Sequence, residues 1–232
     1  MAFSRQTLLI DADDTLWENN IYFERAIAGF ISFLNHQEFS PQQVREVLNQ
    51  VEHECIRKHG YGLRSFRHAL VDTFERLSVE PLTPALHETI QGFAHVIADH
   101  EIEIIAEVPA TLEYLQGRHR LILMTKGDPE EQAQKVERSG LKHHFEAIEV
   151  VADKNARVYR EIIAKHGLVE SSTWMIGNSP KSDINPALAA GIHAVFVPHA
   201  QTWVLEHEEV CGPAGQCRLL VLERFAQLRE HF

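Results

Sequence analysis

The chain has little cysteine, and none of it falls in a structural motif. Cys55, Cys211 and Cys217 are the only three, an odd number with no CxxC pair. That excludes a disulfide framework and a thiolate zinc cluster, and reduced thiols in a cytoplasmic protein are expected. Histidine is plentiful at 15 residues, yet no HExxH motif appears. The adjacent pair His143 and His144 would point two ways from any regular element, so it reads as surface, not as a metal ligand set. No apolar run approaches the length of a membrane span. The opening MAFSRQTLLI passes straight into an apolar strand without a leader-like core, so no signal peptide and no membrane partner are expected. Positive charge is also short: 22 Lys and Arg against 33 Asp and Glu, for a net charge of -11. A general nucleic-acid binder should show a basic face, so nucleic acid is not an expected partner. Small phosphorylated ligands stay open, because local charge at a site outweighs the total. Internal repeats and low-complexity tracts are missing as well.

What is present is ordinary globular material. The 232 residues are 44% hydrophobic and 24% charged, enough for one large domain or one domain carrying an insertion, as a monomer or homodimer. The most informative stretch is LLIDADDTLW, from Leu8 to Trp17. An apolar run ends in Asp11, and Asp13 follows two residues later. Alternate residues of an extended strand share a face, so both acids should leave the strand on the same side. Neighbouring carboxylates repel and are costly to desolvate, which calls for a cation or a shared proton. A solvated acidic turn is the plain reading. A calcium loop of the EF-hand type fails, because Leu16 stands where that loop needs Gly and Tyr22 where it needs the closing Glu. The third reading is a nucleophilic aspartate beside an acid/base aspartate, with Mg²⁺ between them.

Thr7 to Ala12 reads as a buried strand. From Ile21 the period becomes helical: Phe23, Ile27, Phe30 and Leu34 form one stripe. Ser40, Pro41 and Gln43 make a capping box that opens a second helix lined by Val44, Val47, Val51 and Cys55. After the loop His59-Gly60-Tyr61-Gly62, a third stripe runs through Phe66, Leu70, Phe74 and Leu77. Thr83-Pro84 starts a fourth, with Leu86, Ile90, Phe93 and Ile97. These stripes read as helical core. Beyond His100, strands and helices alternate. Helices are expected over Pro109–Leu115, Pro129–Arg138, Ala156–His166 and Ser182–Ala190. Strands are expected over Arg120–Met124, Ala147–Val151, Thr173–Ile176 and His193–Val197. A C-terminal helix is expected from about Arg218. This alternation predicts an α/β fold: a parallel sheet with helices on both faces, into which the helical block is inserted just after the acidic stretch. Ligands of such sheets bind at the carboxyl ends of the strands. The polar residues Asp11, Asp13, Thr125, Lys154, Asn178 and Asp183 all fall there.

Four segments in order resemble the motifs of the haloacid dehalogenase-like hydrolase superfamily. DADDT resembles its first motif, DxDx[TV]. The strand LILMT ending in Thr125 resembles the second, Lys154 the third, and GNSPKSD from Gly177 to Asp183 the fourth, usually GDxxxxD. The resemblance covers nearly the whole chain. It implies a Rossmann-like three-layer α/β/α core over residues 1–18 and 101–232, with a C1-type helical cap over 19–100. It also implies phosphatase chemistry on a small phosphorylated metabolite. Asp11 would attack phosphorus, and Asp13 would protonate the leaving oxygen and then accept a proton from water. Mg²⁺ would be held by the carboxylate of Asp11, the backbone carbonyl of Asp13 and the side chain of Asn178. Lys154 would neutralise the phosphoryl group, with Asp183 counted among the metal-site residues and orienting Lys154 or a metal-bound water. Thr125, with the backbone N–H of Lys126, would donate to phosphoryl oxygens. Tyr61 and Arg64 are the candidate lid residues for the leaving group, and Trp17 for packing on substrate or the cap hinge. Asp14 is given no role. One position departs from the pattern: Asn178 stands where the family usually has Asp, which removes a negative charge from the metal site. Asparagine there is similar to the metal-independent dehalogenase branch, but that branch lacks the acid two residues after the nucleophile. A metal-independent 2-haloacid dehalogenase and a non-catalytic phospho-ligand binder are therefore the alternatives to a phosphatase.

Overall fold

A computed structural model describes residues 5–34 and 38–232. The chain divides into two compact units, Met1–Glu18 with Ile102–Phe232, and Asn19–Glu101. Strand β1 (Thr7–Ile10) opens the first unit. The chain then enters the helical unit, made of α1 (Asn20–Leu34), α2 (Pro41–His59), α3 (Leu63–Leu77), α4 (Pro84–Gly92) and α5 (His95–Asp99). The capping box is formed: Ser40 accepts from the Gln43 N–H, and the Gln43 side chain accepts from the Ser40 N–H. The apolar stripes of these helices meet in one core that includes Tyr22, Phe30, Leu48, Phe66, Leu70 and Ile90. The fourth expected helix is broken, ending at Gly92 and resuming as α5.

The first unit continues with α6 (Val108–Gln116), β2 (Arg120–Lys126), α7 (Pro129–Ser139), β3 (Ala147–Val151), α8 (Ala156–His166), β4 (Thr173–Gly177), α9 (Asn185–Ala190), β5 (His193–Phe196), β6 (Leu219–Val221) and α10 (Leu228–His231). All six strands pair in parallel, in the order β3-β2-β1-β4-β5-β6. The alternation of β1 divides the core. Leu8 and Ile10 pack with Val108 and Leu112 of α6, Val136 of α7 and Leu228 of α10. Leu9 faces the other side, with Tyr159 and Ile162 of α8 and Ala187 of α9. This is a three-layer α/β/α, Rossmann-like fold. From β1 the chain builds outward to β2 and β3, then returns to the other side for β4, β5 and β6. The order reverses at β1, which makes its carboxyl end the natural place for a ligand. Among the described residues, no helix is long and apolar enough to cross a membrane.

Three expectations change. The helix from Arg218 is not formed; Leu219–Val221 instead adds a sixth strand beside β5, and only Leu228–His231 is α-helical. The apolar spacing of Leu219, Leu222, Phe225 and Leu228 suits a helix, but the open edge of β5 offers unpaired backbone groups that a strand satisfies. The helix expected from Ser182 begins as a π-helical turn over Pro180–Ile184, before α9. Strand β2 runs on through Lys126, so Thr125 and Lys126 pair with Val150 and Val151 inside the sheet.

Candidate active site

Asp11 follows the last residue of β1, and its N–H donates to Ile176 O of β4 at 2.9 Å. Its carboxylate is buried and fully engaged. Oδ1 accepts from Lys154 Nζ at 2.5 Å, and Oδ2 accepts from the Thr15 hydroxyl at 2.9 Å. Lys154 lies between β3 and α8, directly before Asn155, whose side chain caps α8. The ammonium of Lys154 also donates to Asp183 Oδ1 at 2.7 Å, so one buried cation serves two buried carboxylates. That arithmetic leaves the cluster short of positive charge. Burial pushes the Asp11 carboxyl up to about 7; Lys154 opposes the rise, and Asp183 adds to it. Burial alone would lower Lys154, but the two carboxylates outweigh burial, raise it above its ordinary value and hold it charged.

Asp183 has both oxygens committed, Oδ1 to Lys154 and Oδ2 to the Ser179 N–H at 3.0 Å. This geometry fits an orienting partner of Lys154 better than a direct metal ligand. Gly177 makes room for it. A Cβ at position 177 would stand 2.3 Å from Asp183 Oδ2, a distance no side chain tolerates. Asn178, at the end of β4, turns its amide oxygen toward the same place: Oδ1 is 3.4 Å from the Thr15 hydroxyl that bonds Asp11. Its Nδ2 donates to Thr202 Oγ1 at 3.0 Å, and that hydroxyl spends its one proton on His199 O at 2.9 Å. Thr202 therefore presents a lone pair to position 178, which suits an amide and repels a carboxylate.

Asp13 belongs to a different neighbourhood. The strand ends at Ile10, and Ala12 O accepts from the Thr15 and Leu16 N–H groups, with Asp14 in the left-handed region at φ 60°. Strand parity thus stops governing side-chain direction before Asp13. Its carboxylate takes four donor contacts: Trp17 Nε1 at 2.8 Å, Gln132 Nε2 at 3.0 Å, and Lys135 Nζ at 2.9 and 3.0 Å. Burial alone would raise its pKa, but Lys135, Trp17 and Gln132 together hold the carboxyl below its ordinary value. Asp11 and Asp13 pair with different lysines, Asp11 with Lys154, which it shares with Asp183, and Asp13 with Lys135. Gln132 and Lys135 both come from α7, whose start is fixed by Asp128 capping Glu130 and Glu131 and by Pro129 in the first turn. Gly127 (φ 147°) keeps the approach open, since a Cβ there would meet Gln132 Nε2 at 3.0 Å.

The remaining expected residues fall in distinct places. Thr125 is buried, and its hydroxyl donates to Gln132 Oε1 at 3.0 Å, so in this arrangement its proton serves Gln132. Lys126 Nζ donates to Glu206 Oε1 at 2.7 Å and Ser182 Oγ at 2.8 Å. Trp17, expected to pack on substrate or the cap hinge, is fully buried, and its indole N–H donates to Asp13 Oδ1 at 2.8 Å. Tyr61 and Arg64 belong to the helical unit, Tyr61 half-buried and Arg64 exposed. Gln132 and Lys135 are absent from the sequence-derived set. Their only signal was a polar i, i+3 pair one helix after Thr125, which is commonplace on solvated helices. Beside Asn178, a second group of ligand-type side chains, Asp14, Glu18 and His199, has its ligand atoms within 4.8 Å of one another.

The sequence matches the family model described as haloacid dehalogenase-like hydrolase over residues 8–197. The chain belongs to that family. A haloacid dehalogenase-like family hydrolase from Xanthomonas campestris has a crystal structure with a TM-score of 0.81, at 25% identity, covering 98% of this chain and 94% of that one. The L-2-haloacid dehalogenase from Xanthobacter autotrophicus superposes with a TM-score of 0.65 at 14% identity, covering 97% of each chain, a likeness of fold alone. A phosphoserine phosphatase from Thermus thermophilus is 30% identical over 82 residues, and the match spans 33% of each protein.

The donor set can be tested against a divalent metal of the kind this hydrolase family implies. The Asp11 carboxylate and Asn178 Oδ1 are both hard oxygens, brought together on either side of the Thr15 hydroxyl. The cluster of Asp11, Asp183 and Lys154 carries more buried negative than positive charge. A small oxygen-loving cation fits this place on both counts.

Proposed function

We propose that this hydrolase is a Mg²⁺-dependent phosphoric monoester hydrolase that acts on a small phosphorylated metabolite through a phosphoryl-aspartate. The observation that carries the reading is the division of labour between the two acids. Asp11 is buried and bonded to Lys154 and Thr15, while Asp13 is held as a carboxylate by Lys135, Gln132 and Trp17. The two acids thus sit among different partners, Asp11 beside Lys154 and Thr15, and Asp13 against donors from α7 and the Trp17 indole. The metal would be held by Asp11, Asn178 Oδ1 and the backbone carbonyl of Asp13. When bound it supplies positive charge to the transferring phosphoryl oxygens.

In the first step an Asp11 carboxylate oxygen attacks phosphorus in line, and the bond from phosphorus to the ester oxygen breaks. The leaving oxygen takes a proton from Asp13, which enters this step protonated, the proton arriving with the monoanion of the phosphate ester; an acidic phenol needs none. Lys154 stays beside Asp11 and offers its charge to the phosphoryl group. In the second step a water oxygen attacks phosphorus, the bond to Asp11 breaks, and Asp13 accepts the proton that water releases. The sum is ester plus water giving alcohol plus inorganic phosphate, with both acids restored.

The test is a panel of phosphate monoesters, including alkyl esters of the phosphoserine type and p-nitrophenyl phosphate, with and without Mg²⁺. Metal-dependent phosphate release that vanishes in Asp11→Asn is expected. No release from any ester, or release that survives the substitution, would sink the reading. Asn178 favours a second reading, metal-independent 2-haloacid dehalogenase. An alkyl halide yields halide without a proton, so that chemistry gives Asp13 no leaving oxygen to protonate. Halide release from 2-haloacids in chelator, with no phosphate release, would establish it.

A further inference from the structure

The helix α7 sends two side chains to Asp13, and nothing in the motif pattern calls for either. Gln132 is buried and bridges two site residues: it accepts from the Thr125 hydroxyl through Oε1 and donates to Asp13 Oδ2 through Nε2, both at 3.0 Å. Lys135 lies one turn further and straddles both oxygens of Asp13 at 2.9 and 3.0 Å. The Trp17 indole closes the ring of donors at 2.8 Å. An exposed ion pair contributes little and is easily rearranged. This one is mostly buried on both sides, with the Lys135 side chain 17% and the Asp13 side chain 22% exposed. Two further features serve the contact. Asp128 and Pro129 fix the first turn of α7, and Gly127 leaves the space that Gln132 fills.

We propose that Gln132 and Lys135 are positioning residues that hold the Asp13 side chain in one orientation for the hydrolysis of the phosphoryl-aspartate. The inference rests on the phosphatase reading above and goes beyond it by assigning α7 to the second chemical step. A carboxylate with a free side-chain torsion samples several rotamers. Two donors fixed on one helix and an indole N–H remove that freedom before the water arrives. The Lys135 ammonium spans both carboxylate oxygens and fixes the plane of the Asp13 carboxyl. The bond that breaks in this step is the one between phosphorus and Asp11, and the proton leaves water for Asp13. Gln132 ties the orientation of Asp13 to Thr125 at the end of β2, so the phosphoryl-binding end and the proton-accepting end of the site are built as one piece.

The two steps can be read separately. With p-nitrophenyl phosphate the leaving group needs no proton, and kcat/KM reports formation of the phosphoryl-aspartate, while kcat reports the slower of the two steps. Lys135→Met and Gln132→Leu should leave kcat/KM for this ester within about threefold of wild type and lower kcat by roughly tenfold or more. A rapid-mix experiment should show a burst of one p-nitrophenolate per enzyme that wild type lacks. Each variant carries the test independently, and Lys135→Arg should recover part of kcat. Parallel loss of kcat and kcat/KM would mean a structural role, and unchanged kinetics in both variants would mean a surface ion pair; either overturns the proposal. Failure of the phosphatase reading itself shows earlier and differently, as no phosphate release by the wild-type protein.

Discussion

Replacing Asp11 by asparagine should stabilise the metal-free protein while abolishing its activity. Burial and Asp183 raise the Asp11 carboxyl from 3.8 to about 7, with Lys154 only partly offsetting them. A carboxyl that holds its proton more tightly when folded favours the fold at low pH. That advantage is complete below about 4 and is lost as pH rises through about 7. At roughly 1.4 kcal/mol for each tenfold change, the ionised form costs on the order of 4 kcal/mol above neutrality. Asp11→Asn removes the charge and leaves Lys154 its bond to Asp183 at 2.7 Å. The stability difference between variant and wild type should therefore widen from about pH 4 to about pH 7 and then level off, with the variant the more stable. Urea unfolding of both proteins in chelator across this range, followed by tryptophan fluorescence, reads the difference directly. Saturating Mg²⁺ should narrow it, because a ligand that binds the native wild type adds stability. A variant that is less stable than wild type at alkaline pH, or a difference that does not change with pH, would refute this account of the charge imbalance.

Three further outcomes follow from individual contacts. Gly177→Ala places a Cβ 2.3 Å from Asp183 Oδ2, so it should cost about 1–3 kcal/mol in urea unfolding and lower activity through a displaced Lys154. Asn178→Asp sets a carboxylate against the Thr202 lone pair; it should lose roughly 1–3 kcal/mol of metal-free stability yet bind Mg²⁺ more tightly by calorimetric titration. In the helical unit, Glu52 is buried with an unpartnered Oε2; burial, with Glu24 adding and Arg45 opposing, raises its carboxyl from 4.5 to about 8. Its contribution to stability is present below about 4.5 and lost as pH rises through about 8, so Glu52→Gln should match wild type near pH 4 and exceed it by roughly a few kcal/mol near pH 9 in urea unfolding.

Much of the fold was legible because two periodicities alternate cleanly along the chain. Buried runs such as Leu121–Met124 and Met175–Ile176 are nearly continuous, as parallel strands covered on both faces must be. The capping box at Ser40 and the Thr83-Pro84 pair mark helix starts in the sequence itself. The last strand was not legible, since Leu219–Val221 forms only because β5 has an edge to offer, a fact of tertiary structure. The same holds in the site. Asp11, Lys154, Asp183 and Asn178 follow strand ends, and topology brings strand ends together. Gln132 and Lys135 lie on a helix, where nothing local distinguishes a side chain aimed at Asp13 from one aimed at water. The separation of the two acids was hidden for a related reason: strand parity predicts a shared side, but the turn at Ala12 intervenes before Asp13.

The central claim is that Asp11 becomes phosphorylated, and mass spectrometry of the protein during turnover tests it most directly. Enzyme mixed with its best ester and Mg²⁺, quenched in acid and digested, should carry the mass of one phosphoryl group on the peptide that contains Asp11. The adduct should be lost on brief alkaline treatment and absent from Asp11→Asn. Steady phosphate release with the Asp11 peptide never modified, or with the adduct on another residue, would contradict the account.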